Sequence, residues 1–334
     1  MKFRQLGSSG FDTSVIGLGT LHFGVYLDQR ECSQLVEYSL DVGLNFIDTS
    51  PIYGHGQSES LVGQAIRTHR HKVVLASKAG LSAITHPDGS FGVETVPLTE
   101  AYLRASIDNS LSALGTDRID LLQLHAFDHE TPLEDTLGAL AALVQEGKIR
   151  YVGGSNYNPE ELVAMLMATR RSDYNFFVSL QAHYNLVERR AEQELAPICL
   201  SNRIGLICNR ALGRGVLTGK YRIGEPWPEG SRARSSLRIG RGLDVDLLKL
   251  VAVLGVYAEK QGRSMTELAL AWLLDHDAVS LALVGARTPQ QLRVCIDAAN
   301  RPLTPDERNG IESIISEQDF QDRAYSRPEV FFEK

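Results

Sequence analysis

Residues 44 to 59 of the chain read LNFIDTSPIYGHGQSE, an apolar run that passes into a polar loop. The run from Leu44 to Ile47, which Pro51 terminates, predicts a short buried strand. Asp48 then stands where the strand opens into its loop, the place where parallel α/β proteins hold reactive groups. Tyr53 follows in a loop rich in Pro and Gly, and Ser58 predicts the N-cap of a helix over 59–66. Because a lone Asp often caps a turn and a loop Tyr often packs, these two residues alone do not define a site.

Two later strand-like runs also end in a polar residue. Residues 73–77 precede Lys78, and residues 119–124 precede His125. The carboxyl ends of parallel strands lie at one edge of a sheet or barrel. The sequence therefore predicts that Asp48, Lys78 and His125 share one rim, with Tyr53 on a loop between the first two.

The remaining chain alternates short β-rich runs with segments of helical period, which predicts one (β/α)8 barrel, a TIM barrel, over residues 1–334. A hairpin is predicted in 2–14, an extended loop in 222–243 with two extra helices (245–259 and 266–274) before the last strand, and a C-terminal helix in 304–316. The predicted strands are 15–19, 44–48, 73–77, 119–124, 149–153, 178–181, 204–208 and 279–284. The predicted helices between and after them are 29–41, 59–66, 99–114, 132–145, 159–168, 190–200 and 289–299.

Composition excludes several functional classes. The net charge of −7 argues against general nucleic-acid affinity, and no apolar stretch is long enough to span a bilayer. The start of the chain has no apolar signal block, so we expect a cytoplasmic protein without a membrane partner. Four scattered cysteines, Cys32, Cys199, Cys208 and Cys295, favour neither a disulfide framework nor a metal site, and so suit a reducing compartment.

Several motifs together resemble the aldo-keto reductase superfamily, in the bacterial branch that is similar to potassium-channel β-subunits and sugar dehydrogenases. They are Phe3–Gly10, Gly17–Thr20, Asp48 to Gly54, Gly153–Asn156, Leu217–Tyr221 and Val284–Thr288. The resemblance places the tetrad of that family on Asp48, Tyr53, Lys78 and His125. It also implies that the N-terminal hairpin closes the bottom of the barrel.

The four tetrad residue types suit carbonyl reduction. A carbonyl that accepts hydride gathers negative charge on its oxygen and then needs a proton. Tyr53 is interpreted as the general acid/base, and a neighbouring Lys78 ammonium held by Asp48 is expected to lower the pKa of its phenol. His125 is interpreted as the hydrogen-bond donor that orients the carbonyl.

No G-x-G-x-x-G motif follows the first barrel strand, so the sequence does not predict a Rossmann-type site for the hydride carrier. The carrier is instead what the resemblance implies. The family holds a nicotinamide dinucleotide across the barrel mouth. NADP is preferred to NAD because a guanidinium at Arg287 suits a 2′-phosphate, although NAD remains an alternative. The matching positions are Gly19, Thr20, Leu21, Asp48, Ser155, Asn156, Gln181, Asn209, Arg210, Leu212, Gly213, Gly215, Lys220, Arg232, Gly285, Arg287 and Gln291.

The chain departs from the family pattern at both ends of the implied cofactor site. Asn209 and Arg210 replace the usual aromatic residue and serine, so the ring that stacks on nicotinamide is missing. Val294 and Cys295 replace a Glu-Asn pair at the adenine end. Arg210 suits an acidic or hydroxylated substrate, and side chains expected to line the substrate pocket are Leu21, His22, Phe23, Tyr26, Ile52, residues 86–91, Phe127 and Trp227.

The favoured function is NADP-linked interconversion of an aldehyde or ketone, either a small aldehyde or a sugar, and its alcohol. One alternative is an NAD-dependent sugar or polyol dehydrogenase. Another is a regulatory subunit that holds the cofactor with little turnover, and a distant one uses Lys78 as a Schiff-base amine. The basic insert, with Arg222, Arg232, Arg234, Arg238 and Arg241, is either a phosphate clamp or a solvated loop.

Overall fold

The computed structural model describes residues 1–85, 91–235, 240 and 242–317. The strands are β1 (Phe3–Gln5), β2 (Asp12–Ser14), β3 (Ile16–Gly19), β4 (Phe46–Asp48), β5 (Val74–Ala79), β6 (Leu81–Thr85), β7 (Phe91–Thr95), β8 (Ile119–Leu124), β9 (Ile149–Ser155), β10 (Phe177–His183), β11 (Gly205–Asn209) and β12 (Val279–Val284). Eight parallel strands close into a barrel in the order β3-β4-β5-β8-β9-β10-β11-β12, which confirms the predicted (β/α)8 architecture. Two antiparallel hairpins, β1-β2 and β6-β7, lie outside the barrel.

Helices cover the outside of the barrel. Capping boxes begin several of them, as at Asp28 with Glu31 and Asn158 with Glu161, where side chains satisfy the first backbone N–H groups. The α-helices are Gln29–Asp41, Ser58–Ile66, Glu100–Leu114, Leu133–Gln145, Pro159–Arg171, Arg190–Glu194, Ala196–Asn202, Arg232–Ser235, Val245–Lys260, Met265–Leu274, Pro289–Asn300 and Pro305–Glu317. In the described parts of the chain, no helix is both long and apolar enough to cross a bilayer.

The N-terminal hairpin closes the amino end of the barrel. The Arg4 guanidinium donates to the backbone carbonyl of Val279, the first residue of β12. Gly7, in the hairpin turn with φ +54°, lies so close to β10 that a Cβ there would meet the Val178 carbonyl oxygen at 2.1 Å. Leu6 is fully buried in the cluster formed by the barrel interior. Among the described residues the amino end is thus closed, and the carboxyl ends of the strands are open to a ligand.

The segment after β5 differs from the prediction. His86-Pro87-Asp88-Gly89 in the sequence predicts a loop between the strand 73–77 and the helix 99–114, but Leu81–Thr85 pairs antiparallel with Phe91–Thr95 as a second hairpin. Ala83 pairs with Val93 and Ile84 with Gly92 in this hairpin. The predicted pocket residues 86–90 lie outside the described residues, as do Arg238 and Arg241 of the basic insert.

Two helix predictions are also corrected. The predicted helix 190–200 is two helices that meet at Leu195, because Pro197 lacks the N–H that a continuous helix requires. Ser58 is the first residue of its helix rather than its N-cap. Its hydroxyl instead bonds the hydroxyls of Thr20 and Thr49, which ties the first two barrel loops together.

Candidate active site

The structure brings the four tetrad residues together at the carboxyl end of the barrel. Asp48 is the last residue of β4, and His125 immediately follows β8. Lys78 lies within β5 rather than after it, and Tyr53 begins a short 3-10 turn over Tyr53–Gly56. The register of the barrel pairs Asp48 with Ala76 and Lys78 with Gln123, so these side chains occupy neighbouring levels of the same rim.

The Lys78 ammonium is held at the centre of this group. It donates to Asp48 Oδ2 over 2.6 Å and to the Thr49 carbonyl over 2.9 Å. It also hydrogen-bonds the Tyr53 side chain and lies 4.7 Å from the centroid of that ring. An ammonium has three N–H donors. All three therefore have partners, and the position of Lys78 is fully determined.

The pKa of the Tyr53 phenol is raised above its ordinary value. Burial is the largest cause, Lys78 opposes it, and the Asp48 charge adds to it. The sequence predicted that Lys78 lowers this pKa; Lys78 does act in that direction, but desolvation of the phenolate outweighs it. Tyr53 is therefore a protonated hydrogen-bond donor at neutral pH.

His125 faces Tyr53 across the site. The two rings make an edge-on contact with centroids 6.1 Å apart. Burial, with the nearby Lys78 charge, holds the pKa of His125 well below its usual range. A neutral imidazole has one N–H donor and one acceptor, so His125 can hydrogen-bond a neutral oxygen without bringing in another charge.

A chain of amides lies behind Asp48. Asp48 Oδ1 accepts from Gln123 Nε2 at 2.7 Å and from Gln181 Nε2 at 2.9 Å. Gln181 Nε2 also donates to Gln123 Oε1, and Gln181 Oε1 accepts from Asn209 Nδ2 at 3.2 Å. These contacts connect the Lys78 pair to the wall of the cavity at Asn209. Gln123 was not among the predicted site residues, although it lies two residues before His125 and the strand period of two points both side chains to the same side.

A cavity of about 530 Å³ opens above these residues. Asp48, Tyr53 and His125 line it, whereas Lys78 lies behind Tyr53 with no exposed side-chain surface. Ser155 and Gly213 do not reach the cavity wall; the Ser155 hydroxyl supports Asn156 by accepting from its amide. The other predicted cofactor residues line it: Gly19, Thr20, Leu21, Asn156, Gln181, Asn209, Arg210, Leu212, Gly215, Lys220, Arg232, Gly285, Arg287 and Gln291.

Positive charge gathers in one part of the cavity wall. Burial and the charges of Arg232, Arg287 and Lys220 lower the pKa of His22 to about 3. Burial and the same two arginines lower the pKa of Lys220. Like charges repel one another, and a bound anion relieves the repulsion. The cluster of His22, Lys220, Arg232 and Arg287 is thus suited to phosphate.

Backbone conformation also marks the rim. Among the described residues, six other than glycine have positive φ, and four of them lie on loops at the carboxyl ends of the strands. Residues held in this sparsely populated region cluster at ligand sites. The four are His55 (φ 53°), Asn156 (62°), Arg210 (53°) and Arg214 (55°).

The predicted substrate contacts divide into two groups. Leu21 and His22 line the cavity. Phe23 and Ile52 are buried in packing, and Tyr26 lies beneath the Arg287 guanidinium with 5.2 Å to its ring centroid. Phe127 packs edge-on against Tyr157, and Trp227 against Tyr221. Besides Tyr53, His125 and His22, the lining residues outside the cofactor predictions are His183, Ala211, Arg214, Thr218, Thr266, Leu283, Val284, Ala286, Val294 and Cys295.

A closed parallel barrel with an acid, a phenol, an ammonium and an imidazole at its open end is the arrangement of a barrel oxidoreductase. The model of the aldo/keto reductase family matches residues 15–316. The chain belongs to that family, and its members are oxidoreductases that generally use nicotinamide cofactors.

Curated relatives match almost the full chain. The versiconal hemiacetal acetate reductase of Aspergillus parasiticus is 29% identical over 93% of this chain and 96% of its own length. The L-glyceraldehyde 3-phosphate reductase of Escherichia coli K12 is 32% identical, with 90% and 88% covered. The aldo-keto reductase YhdN of Bacillus subtilis is 32% identical, with 94% of each chain covered.

Proposed function

We propose that this chain is an NADP(H)-dependent oxidoreductase that interconverts an aldehyde or ketone, a small aldehyde or a sugar, and its alcohol. The observation that supports this most directly is the contact of the Tyr53 phenol with the Lys78 ammonium at the floor of the cavity. The whole chain, residues 1–334, is proposed to be one domain. Its four cysteines are buried and free, which favours a reducing compartment such as the cytoplasm.

The proposed chemistry assigns one role to each tetrad residue. When bound, the nicotinamide supplies the hydride that adds to the carbonyl carbon. Tyr53 gives its phenolic proton to the carbonyl oxygen, and Lys78 stabilises the phenolate that remains until water reprotonates it. Asp48 holds Lys78 in place, and His125 donates a hydrogen bond that orients the carbonyl. In alcohol oxidation Tyr53 acts as the base.

The residues present fit a dinucleotide phosphate. Lys220, Arg232 and Arg287 would hold phosphate groups, with Arg287 the proposed partner of the 2′-phosphate. Gly215, with φ +97°, keeps the backbone clear of Lys220, since a Cβ there would lie 3.1 Å from Nζ. Both side-chain N–H groups of Asn156 are engaged, by the His125 carbonyl and by the Ser155 hydroxyl, which leaves the side-chain oxygen Oδ1 to accept a ligand N–H.

Steady-state rates with NADPH and NADH, in both directions and across small aldehydes and sugars, test the proposal. We expect faster reduction with NADPH than with NADH and sustained turnover. Faster oxidation of sugars with NAD favours the dehydrogenase alternative. A single burst without turnover, together with slow cofactor release, favours the regulatory subunit. The absence of cofactor binding to the purified protein would overturn the proposal.

A further inference from the structure

Gln123 is a buried amide between two leucines of β8. Its neighbours in β8 are leucines, and its own side chain has no exposed surface. Buried polar groups in such positions are costly unless they are hydrogen-bonded. Gln123 meets this condition through two contacts, Nε2 to Asp48 at 2.7 Å and Oε1 from Gln181 at 2.8 Å.

The carboxylate fixes the direction of this amide chain. A carboxylate oxygen only accepts hydrogen bonds, so Gln123 and Gln181 must both turn their NH2 groups toward Asp48. Their oxygens then face Gln181 and Asn209 respectively. Rotating either amide by half a turn would place oxygen against oxygen. The contacts of Asp48 therefore set which atoms Gln181 and Asn209 present at the cavity wall.

We propose that Gln123 is a positioning residue for the reaction: it locks the Asp48 carboxylate so that Lys78 stays beside Tyr53. This rests on the proposed function. Asp48 Oδ2 is used by Lys78 and Oδ1 by two amides, so the carboxylate has no freedom to rotate. Without Gln123, one anchor of Oδ1 is lost, and Gln181 regains a free N–H.

The electrostatic consequence has a definite sign. A hydrogen bond to a carboxylate draws away part of its negative charge. Removing the Gln123 bond therefore makes the Asp48 charge felt more strongly at Tyr53, which raises the pKa of the phenol further. A weaker acid transfers its proton more slowly, so the change falls on kcat rather than on KM.

Gln123→Met removes the amide and keeps the length of the side chain. We expect kcat for carbonyl reduction to fall about tenfold while KM changes less than about twofold. The alkaline limit of the pH–rate profile moves to higher pH. Ser179→Ala is the matched control, because the Ser179 hydroxyl is a buried polar group of β10 without a hydrogen-bond partner among the described residues. Its kinetics stay at the wild-type values.

If urea unfolding shows that Gln123→Met is poorly folded, Gln123→Glu provides a second test. It places a carboxyl against Asp48, and two carboxyls at that distance share one proton. Activity then falls as rising pH removes the shared proton. Ultraviolet difference titration of Tyr53, with Tyr53→Phe as the blank, measures the phenol without turnover.

The outcomes separate the two proposals. An upward shift of the Tyr53 titration in Gln123→Met supports the positioning role even if no substrate is turned over. An unchanged titration and an unchanged alkaline limit, in a folded variant, overturn it. If the wild-type protein binds no nicotinamide nucleotide and Gln123→Met still shows the shift, only the proposed function is refuted.

Discussion

Lys78 Nζ lies 2.6 Å from Asp48 Oδ2, and the two side chains are 0% and 4% exposed. Two opposite charges so deeply buried stabilise each other only as a pair, because each alone would carry the full cost of desolvation. The pair is therefore a structural element of the barrel as well as part of the proposed site.

The first prediction concerns this pair. Lys78→Met leaves the Asp48 charge without its partner, and we expect the free energy of unfolding to fall by about 3–5 kcal/mol. Urea unfolding at neutral pH measures it. Arg104→Met is the control, because Arg104 pairs with Glu100 at the surface and surface pairs contribute little. Equal, small losses in both variants contradict the account.

The second prediction concerns the pH dependence of reduction. His125 is held neutral by burial and Lys78, and Tyr53 has a raised pKa. We therefore expect kcat/KM for reduction to show no histidine step near the ordinary value of about 6.5 and to fall only above about pH 10, where the phenol loses its proton. An inflection close to the ordinary histidine value would mean that His125 titrates during turnover.

The third prediction concerns cofactor choice. Arg287→Gln removes the proposed partner of the 2′-phosphate, so the dissociation constant of NADPH is expected to rise about 10–100-fold while that of NADH changes little. Fluorescence titration of both nucleotides measures this. Arg293→Gln is the control. Arg293 is an exposed arginine that pairs with Asp297 of its own helix, so its loss leaves both constants unchanged. Equal increases in the dissociation constants of NADPH and NADH would show that Arg287 does not bind the 2′-phosphate.

The fourth prediction concerns the C-terminal helix. Arg263 binds Glu307 through a buried ion pair, chiefly by hydrogen bonding, and lowers the pKa of that carboxyl to about 2. A lowered folded-state pKa means that the stabilisation is complete above the unfolded value of about 4.3 and is lost as pH falls toward about 2. The Glu307→Gln variant lacks this stabilisation at every pH.

Urea unfolding of wild type and Glu307→Gln at several pH values measures this contribution. At neutral pH the variant is less stable, by about 3 kcal/mol for a broken buried pair. The gap should narrow between about pH 4 and about pH 2. A gap that stays constant across this range would show that the charge of Glu307 does not account for the difference.

The strand ends could be predicted because each polar residue follows an apolar run. Asp48 and His125 lie where such runs end, and the closed barrel brings the carboxyl ends of the strands to one rim. Gln123 could not be assigned from its sequence position, because its partners Asp48 and Gln181 are distant along the chain and only the closed barrel joins them. The raised pKa of Tyr53 likewise depends on burial, which the loop sequence does not specify.

Tyr53→Phe tests the central claim most directly, because it removes one oxygen and leaves the ring. The measurement is the single-turnover rate of aldehyde reduction by the NADPH complex, with the dissociation constant of NADPH determined alongside. We predict that the rate falls about 1,000-fold and that the dissociation constant changes less than about twofold. A variant that binds NADPH normally and keeps most of its reduction rate would contradict the role of Tyr53.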